Sequence, residues 1–400
     1  MQMPGTIPEP ETSGQHQDHM TIAGIGAVTG YGWGRETLWE GLLSGKPAAR
    51  LFPGYGPERD RNGWVARVPE GGDPDLPDSR YIRAIMGAAR EAVGDATDRG
   101  WRPGRTVGLL HAIVLGNVPE WRDFYTVDGG RRRNRDYLRL LPSTPVAMLM
   151  SEFGFHGPAM NVTAACSSSN VALITAQLWL AHGIADDVLV VATDMSAIPE
   201  MVTPFVALGA AVDDTDPLDA CRPFQEGSRG FGFGEASVAF LVTRDADRPY
   251  AAVLGGGMSN DGYHVISVDS SHEQIFDCVR RALASADVRP EEVAILNTHG
   301  SGTAQCDAAE TQLLAELFDD RPQVVALKPL AGHCQAASGG VELAAAAMGY
   351  ERGLLVSAPI VAPAHPRLVD GVQQGYDGIT VKTALGMGGH NSAVVLGPVS

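Results

Sequence analysis

A chain of 400 residues with 44% apolar and 19% charged side chains and 48 glycines has the make-up of a folded protein with many tight turns, which excludes a disordered or fibrous one. A formal charge of −17 disfavours nucleic acid and anionic membrane as partners, and no apolar run approaches the roughly 20 residues that span a bilayer. Five cysteines at irregular spacing offer no disulfide framework, which fits free thiols in a reducing, cytoplasmic setting.

The first 19 residues are polar and proline-containing, show no secretory-signal pattern, and are expected to form a loose, disordered tail. From Thr21, TIAGIGAVTGYG reads as a buried strand ending in glycine turns, and GRETLWEGLLSG carries Leu38, Trp39, Leu42 and Leu43 at helical spacing. DSRYIRAIMGAAREAVGDA opens with Asp78 and Ser79 as candidate caps of a helix, and TVGLLHAIVLG follows as a strand. AMNVTAA is strand-like, SSSNVALITAQLWLAHGIA is a helix apolar on nearly every side, and DDVLVVATD is a buried strand. The second half keeps the alternation. YAAVLGGGMS, EEVAILNTHG and QVVALKPLAGH read as strands with loops, separated by helices over SSHEQIFDCVRRALASA and TAQCDAAETQLLAELF. SGGVELAAAAMGYERG is a further helix, and GITVKTALGMGGHNSAVVLGP closes the chain as two strands around a glycine turn. Neither a low-complexity linker nor a short exact repeat interrupts the pattern, so one layered α/β unit is expected.

Three residues carry the chemistry. Cys166 lies between a strand and the first turn of the apolar helix, where free N–H groups favour a thiolate and lower the thiol pKa; the bland alternative is a small buried hydrophobe. His299 and His333 each follow a strand in a glycine-containing loop, the place where open α/β sheets gather ligands. Neutral imidazoles there can donate hydrogen bonds to a developing enolate or oxyanion. Cys306 and Cys334 lie near these loops, but their spacing fits no zinc-ligand pattern and no metal site is expected.

The segments TAACSSS, NTHGSGT with DAAE after it, KPLAGH and GMGGHN, with weaker likeness in TIAGIGAVTG and RPF…GFGFGEAS, resemble in order and spacing the β-ketoacyl synthase family of fatty acid and polyketide elongating enzymes. The resemblance runs from about Thr21 to Pro398 and implies the thiolase fold, two similar α/β halves in a five-layered α-β-α-β-α sandwich. Residues 20–250 would form the half with the nucleophile and residues 251–400 the half with the histidines. It implies that Cys166 takes an acyl group from acyl carrier protein phosphopantetheine or coenzyme A, and that a malonyl-type extender then loses carbon dioxide and attacks it. His299 and His333 would support decarboxylation, and Lys328 would pair with Glu310 to orient the histidine loops. The backbone N–H groups of Cys166 and Met387 would form an oxyanion hole, with Ser301 and Thr303 beside Met387 on the substrate side. No cofactor is implied. The implied partners are acyl carrier protein and a second subunit, either another copy or a chain-length-factor-like relative.

Some positions depart from the family pattern. Met387 stands where a gating phenylalanine is usual, and Gln225 and Arg229 stand where acids are common. The CSSS style is closer to polyketide or specialised fatty acid enzymes. Acyl transfer without extension, and a non-catalytic partner subunit, remain alternative readings. Arg131, Arg132, Arg133, Arg135 and Arg139, or Arg80 and Arg83, are candidate docking points for an acidic carrier protein, the alternative being a solvated or dimer-facing stretch.

Overall fold

The alternation of strands and helices closes into a layered α/β sandwich in a computed structural model that describes residues 19–76, 79–126 and 137–399. All but the last residue of the expected tail, and Asp78, lie outside the described residues. The first half contributes β1 (Met20–Thr29), β2 (Val107–Ala112), β3 (Ala159–Val162), β4 (Asp187–Asp194) and β5 (Ala236–Thr243). The second contributes β6 (Ala251–Asn260), β7 (Val293–Asn297), β8 (Gln323–Val325), β9 (Ile379–Gly386) and β10 (His390–Gly397). They run in the order β3-β2-β4-β5-β1-β6-β10-β9-β7-β8.

Counted within its own half, each set of strands has the order 3-2-4-5-1. In both, the second strand pairs parallel with the third and fourth, and the remaining pairings are antiparallel. The chain therefore folds one motif twice, and the two sheets touch where Met20–Ile22 pairs with Ala251–Val253.

Three apolar clusters mark the helical layers. The central one joins α2 (Ser168–Ala181) to α5 (Ser338–Arg352) between the sheets, through Leu173, Ile174, Val341 and Leu343. An outer cluster packs α1 (Arg80–Asp98) on the first sheet, and another packs α3 (Glu273–Ser285) and α4 (Ala304–Phe318) on the second. Strand alternation explains the division: Val188 and Val190 of β4 face the central layer, while Leu189 and Val191 face α1. This is the five-layered sandwich that the resemblance implies. A helix apolar on all sides, such as α2, has no other place in it than the middle.

The glycine-rich first strand of each half has a steric cause. A Cβ on Gly26 would stand 1.9 Å from the Ala88 carbonyl oxygen of α1, and one on Gly257 would stand 2.3 Å from that of Cys278 in α3. Each outer helix thus presses directly on backbone. Ser79 caps α1, its Oγ accepting from the Ile82 N–H at 3.4 Å. The stretch read as strand and loop over QVVALKPLAGH is a strand only at Gln323–Val325; Lys328–Ala331 forms one helical turn with proline in its first positions. Among the described residues no helix is long and apolar enough to cross a membrane.

Candidate active site

The elbow that carries the thiol is made by a backbone reversal. After β3, Ala165 adopts φ 49°, a left-handed conformation that costs an alanine about 1–2 kcal/mol. Hydroxyls hold it: Ser168 Oγ accepts from the Ala164 N–H at 2.8 Å, and Ser167 Oγ donates to the carbonyls of Ala384 (2.9 Å) and His390 (2.6 Å) in the other half. Cys166 is left beside the start of α2, where the sequence places it, and is 8% exposed. The expected thiolate is not what this setting gives. Burial pushes the Cys166 thiol up to about 12, against the opposing pull of Lys328 and the Met387 N–H. Desolvation of the anion outweighs these two, so the resting group is a thiol.

On the histidine side, the N–H groups of His299 and Gly300 donate to the two Glu310 oxygens at 2.7 and 2.9 Å, and Thr383 Oγ1 also donates to Glu310. Lys328 Nζ donates to the His299 carbonyl and pairs with Glu342 Oε1 at 2.7 Å; Lys382 Nζ stands 2.8 Å from Glu342 Oε2. The implied Lys328–Glu310 pair is therefore corrected. Glu310 is taken up by the backbone of the His299 loop, and Glu342 of α5 sits between both lysines. All four side chains are buried, so each charge needs its partner. Burial pushes the Glu310 carboxyl up and the Lys382 ammonium down.

His333 is held from both sides. Its N–H donates to the Gly232 carbonyl at 2.7 Å, its carbonyl accepts from the Gly234 N–H at 3.0 Å, and the Phe231 ring stands edge-on with centroids 4.5 Å apart. The Gln335 N–H donates to His333 Nδ1 at 3.1 Å, and Ser338 Oγ lies 2.7 Å from the same nitrogen. A backbone N–H can only donate, so Nδ1 is the acceptor and Nε2 carries the ring proton. The two imidazoles are 5.4 Å apart. Burial, then Lys328, holds both well below the usual imidazole range, so both are neutral.

These groups share one cavity of about 370 Å³, lined by Cys166, His299, His333, Ser301, Thr303 and Met387 among others. The thiol of the front half and the imidazoles of the rear half are thus brought together, while Lys328 and Glu310 stand behind the wall as supports. Sequence reading missed Glu342, Lys382, Ser338, Gln335 and Phe231. It also missed Asp307, which accepts from the Phe224 and Gly302 N–H groups at 3.1 Å and ties the RPF segment to the His299 loop. The RPF and DAAE motifs contain the ends of that tie. Cys306 also lines the cavity; Cys334 is buried with its thiol toward the Ala331 carbonyl.

The departures from the family pattern have their own partners. Gln225 Oε1 accepts from the Val361 and Ala362 N–H groups, and Arg229 pairs with exposed Asp214 at 2.9 Å. Arg80 does not offer a docking surface, since it is turned inward to the buried Glu235 at 3.1 Å and the Val68 carbonyl at 2.6 Å. Arg83 meets Glu70 at 3.1 Å with its side chain only 14% exposed, so it is no free docking point. Arg131, Arg132, Arg133 and Arg135 lie outside the described residues, and Arg139 is exposed.

A buried thiol facing neutral imidazoles, with a backbone N–H at the sulfur, is the equipment of thiol-based acyl transfer. The comparisons agree. Residues 77–248 match the β-ketoacyl synthase N-terminal domain and residues 250–359 the C-terminal domain. The chloroplastic 3-oxoacyl-[acyl-carrier-protein] synthase I of Hordeum vulgare is 29% identical, over 98% of this chain and 92% of its own. Among solved structures, the ketosynthase ApeO in complex with its chain length factor ApeC from Xenorhabdus doucetiae has a TM-score of 0.82 at 23% identity, covering 96% of this chain and 100% of that one. A type II polyketide ketosynthase complex with its acyl-carrier protein, bound to the hexaketide, has 0.82 at 21%, covering 95% and 99%. The chain belongs to the β-ketoacyl synthase family and is a condensing acyltransferase of that family.

Proposed function

We propose that this chain catalyses decarboxylative condensation on acyl groups delivered by an acyl carrier protein, in polyketide or specialised fatty acid biosynthesis. The observation that carries this reading is the single cavity where Cys166 meets two neutral imidazoles. In the first step the Cys166 sulfur attacks the thioester carbonyl, its new C–S bond replaces the carrier's, and the thiol proton ends on the departing carrier thiol. Because Cys166 starts as a thiol, a neutral imidazole or the departing sulfur must take that proton. The N–H groups of Cys166 and Met387 receive the oxyanion.

In the second step the malonyl C–C bond breaks, carbon dioxide leaves, and the electron pair forms an enolate. Its oxygen accepts from His333 Nε2–H and from His299. The enolate carbon attacks the acyl-cysteine, a C–C bond forms and the C–S bond breaks. The departing cysteine sulfur takes up a proton from solvent, since its own left with the carrier thiol in the first step. No resident cofactor enters this balance. Ser301, Thr303 and Met387 line the approach of the carrier arm.

A second subunit is part of this reading. The sheet ends on β3, a strand whose outer edge has no partner among the described residues and whose Met160 is 42% exposed. Such an edge suits pairing with another copy or with a chain-length-factor-like subunit.

Intact-mass analysis after exposure to acyl-carrier protein, followed by a malonyl-carrier chase, tests the reaction. The expected result is an acyl adduct on the Cys166 peptide, then carbon dioxide release with an extended product. Absence of the adduct, or its discharge without carbon dioxide, would overturn the reading.

A further inference from the structure

The repeated fold places two backbone elbows against each other. Ala165 stands three residues before α2 begins at Ser168, and Gln335 stands three residues before α5 begins at Ser338; both have positive φ, 49° and 44°. Ser169 Oγ donates to the Ala336 carbonyl, joining one elbow to the other. In the first elbow the reversal presents Cys166. In the second it falls on Gln335 itself, whose side chain spans to the thiol: Cys166 Sγ donates to Gln335 Oε1 at 3.7 Å.

Gln335 is an odd residue for this place. It has no special tolerance for a left-handed backbone, it is only 7% exposed, and its Nε2 has no acceptor among the described residues. The two heavy atoms of an amide are about 2.3 Å apart, so Nε2 lies within about 6 Å of the nucleophilic sulfur. A buried donor with no acceptor among the described residues, beside the atom that carries the substrate, points to a substrate atom as its partner.

We propose that Gln335 reads the acyl chain on Cys166, its Nε2–H₂ donating to an oxygen two or three bonds beyond the thioester carbon. The site then prefers acyl chains with an oxo or hydroxyl group at that place over plain alkyl chains. This rests on the acylation of Cys166 proposed above. Acylation removes the S–H that Oε1 accepts, so an alkyl chain leaves both amide atoms of Gln335 buried and unpaired. An oxo group satisfies the donor, and a hydroxyl can satisfy donor and acceptor together. A site that loses a hydrogen bond when the oxygen is missing discriminates more sharply than one that only fills space.

Single-turnover acylation, followed by intact mass, tests this with N-acetylcysteamine thioesters of butanoate, 3-oxobutanoate and 3-hydroxybutanoate. The readout is the ratio of oxygenated to plain rate constants, compared between the wild type, Gln335→Leu and Gln335→Asn. Intrinsic thioester reactivity cancels in that comparison. The ratio is expected to fall about fivefold to tenfold in Gln335→Leu, the effect of one buried hydrogen bond. Gln335→Asn withdraws the amide by one methylene yet suits positive φ, so it gives the same answer if the leucine variant does not fold. Ratios within twofold of wild type, with Cys166 still acylated, overturn the role of Gln335 and leave the condensation reading standing. No acylation of the wild type by any of the three thioesters overturns both.

Discussion

The thiol side and the histidine side of the cavity are built on one topological plan but held by opposite means. Hydroxyls and backbone carbonyls fix the elbow of Cys166, through Ser167 and Ser168. Four buried charged groups, Lys328, Lys382, Glu310 and Glu342, fix the loops of the histidines. The same lysine acts on both sides with different results. At His299 and His333, burial and Lys328 push the same way and keep the rings neutral; at Cys166 they oppose, and burial wins. The protonation of each reacting group is therefore set by whether two effects add or cancel.

Glu342→Gln should break this contrast most severely. It leaves two buried lysines without the carboxylate between them, and unfolding in urea should show a loss of about 3–5 kcal/mol. A loss under about 1 kcal/mol would mean that charge does not hold the histidine side. The next largest effect is on thiol reactivity. A raised pKa means thiol below it, so alkylation of Cys166 by iodoacetamide should climb roughly tenfold per pH unit from pH 7 to 9 without a plateau. A plateau in that range would restore the thiolate that the sequence suggested.

Ser338→Ala removes one of the two partners of His333 Nδ1 and should lower malonyl decarboxylation about tenfold, with a smaller effect on acyl capture. Equal loss in both would contradict the division of labour. The smallest effect is expected for Ala165→Gly, which relieves a left-handed alanine and should change stability by no more than about 1 kcal/mol, upward if at all. A clear loss of stability would mean that the methyl group packs, and that the elbow is not held by its hydroxyls and backbone alone.

The strand–helix alternation was legible because buried strands and the all-apolar α2 leave plain patterns, and the motif-bearing loops gave Cys166, His299 and His333 by position. What stayed hidden depends on three-dimensional register. Glu342 lies within an alanine-rich helix that reads as apolar, so only folding reveals it between Lys328 and Lys382. Ala165 and Gln335 carry no signal for positive φ, since neither is glycine, asparagine or aspartate. The duplication of the fold was legible only through the family resemblance and not as an internal repeat, because strand order and direction repeat while the residues do not.

Separating the two steps tests the account most directly, by measuring carbon dioxide release and acyl-adduct formation on Cys166→Ala and His333→Ala side by side. Cys166→Ala should form no adduct yet still release carbon dioxide from a malonyl thioester, and His333→Ala should still take up the acyl group while decarboxylation falls by a factor on the order of 10² or more. Loss of decarboxylation in Cys166→Ala, with His333→Ala unimpaired, would contradict it.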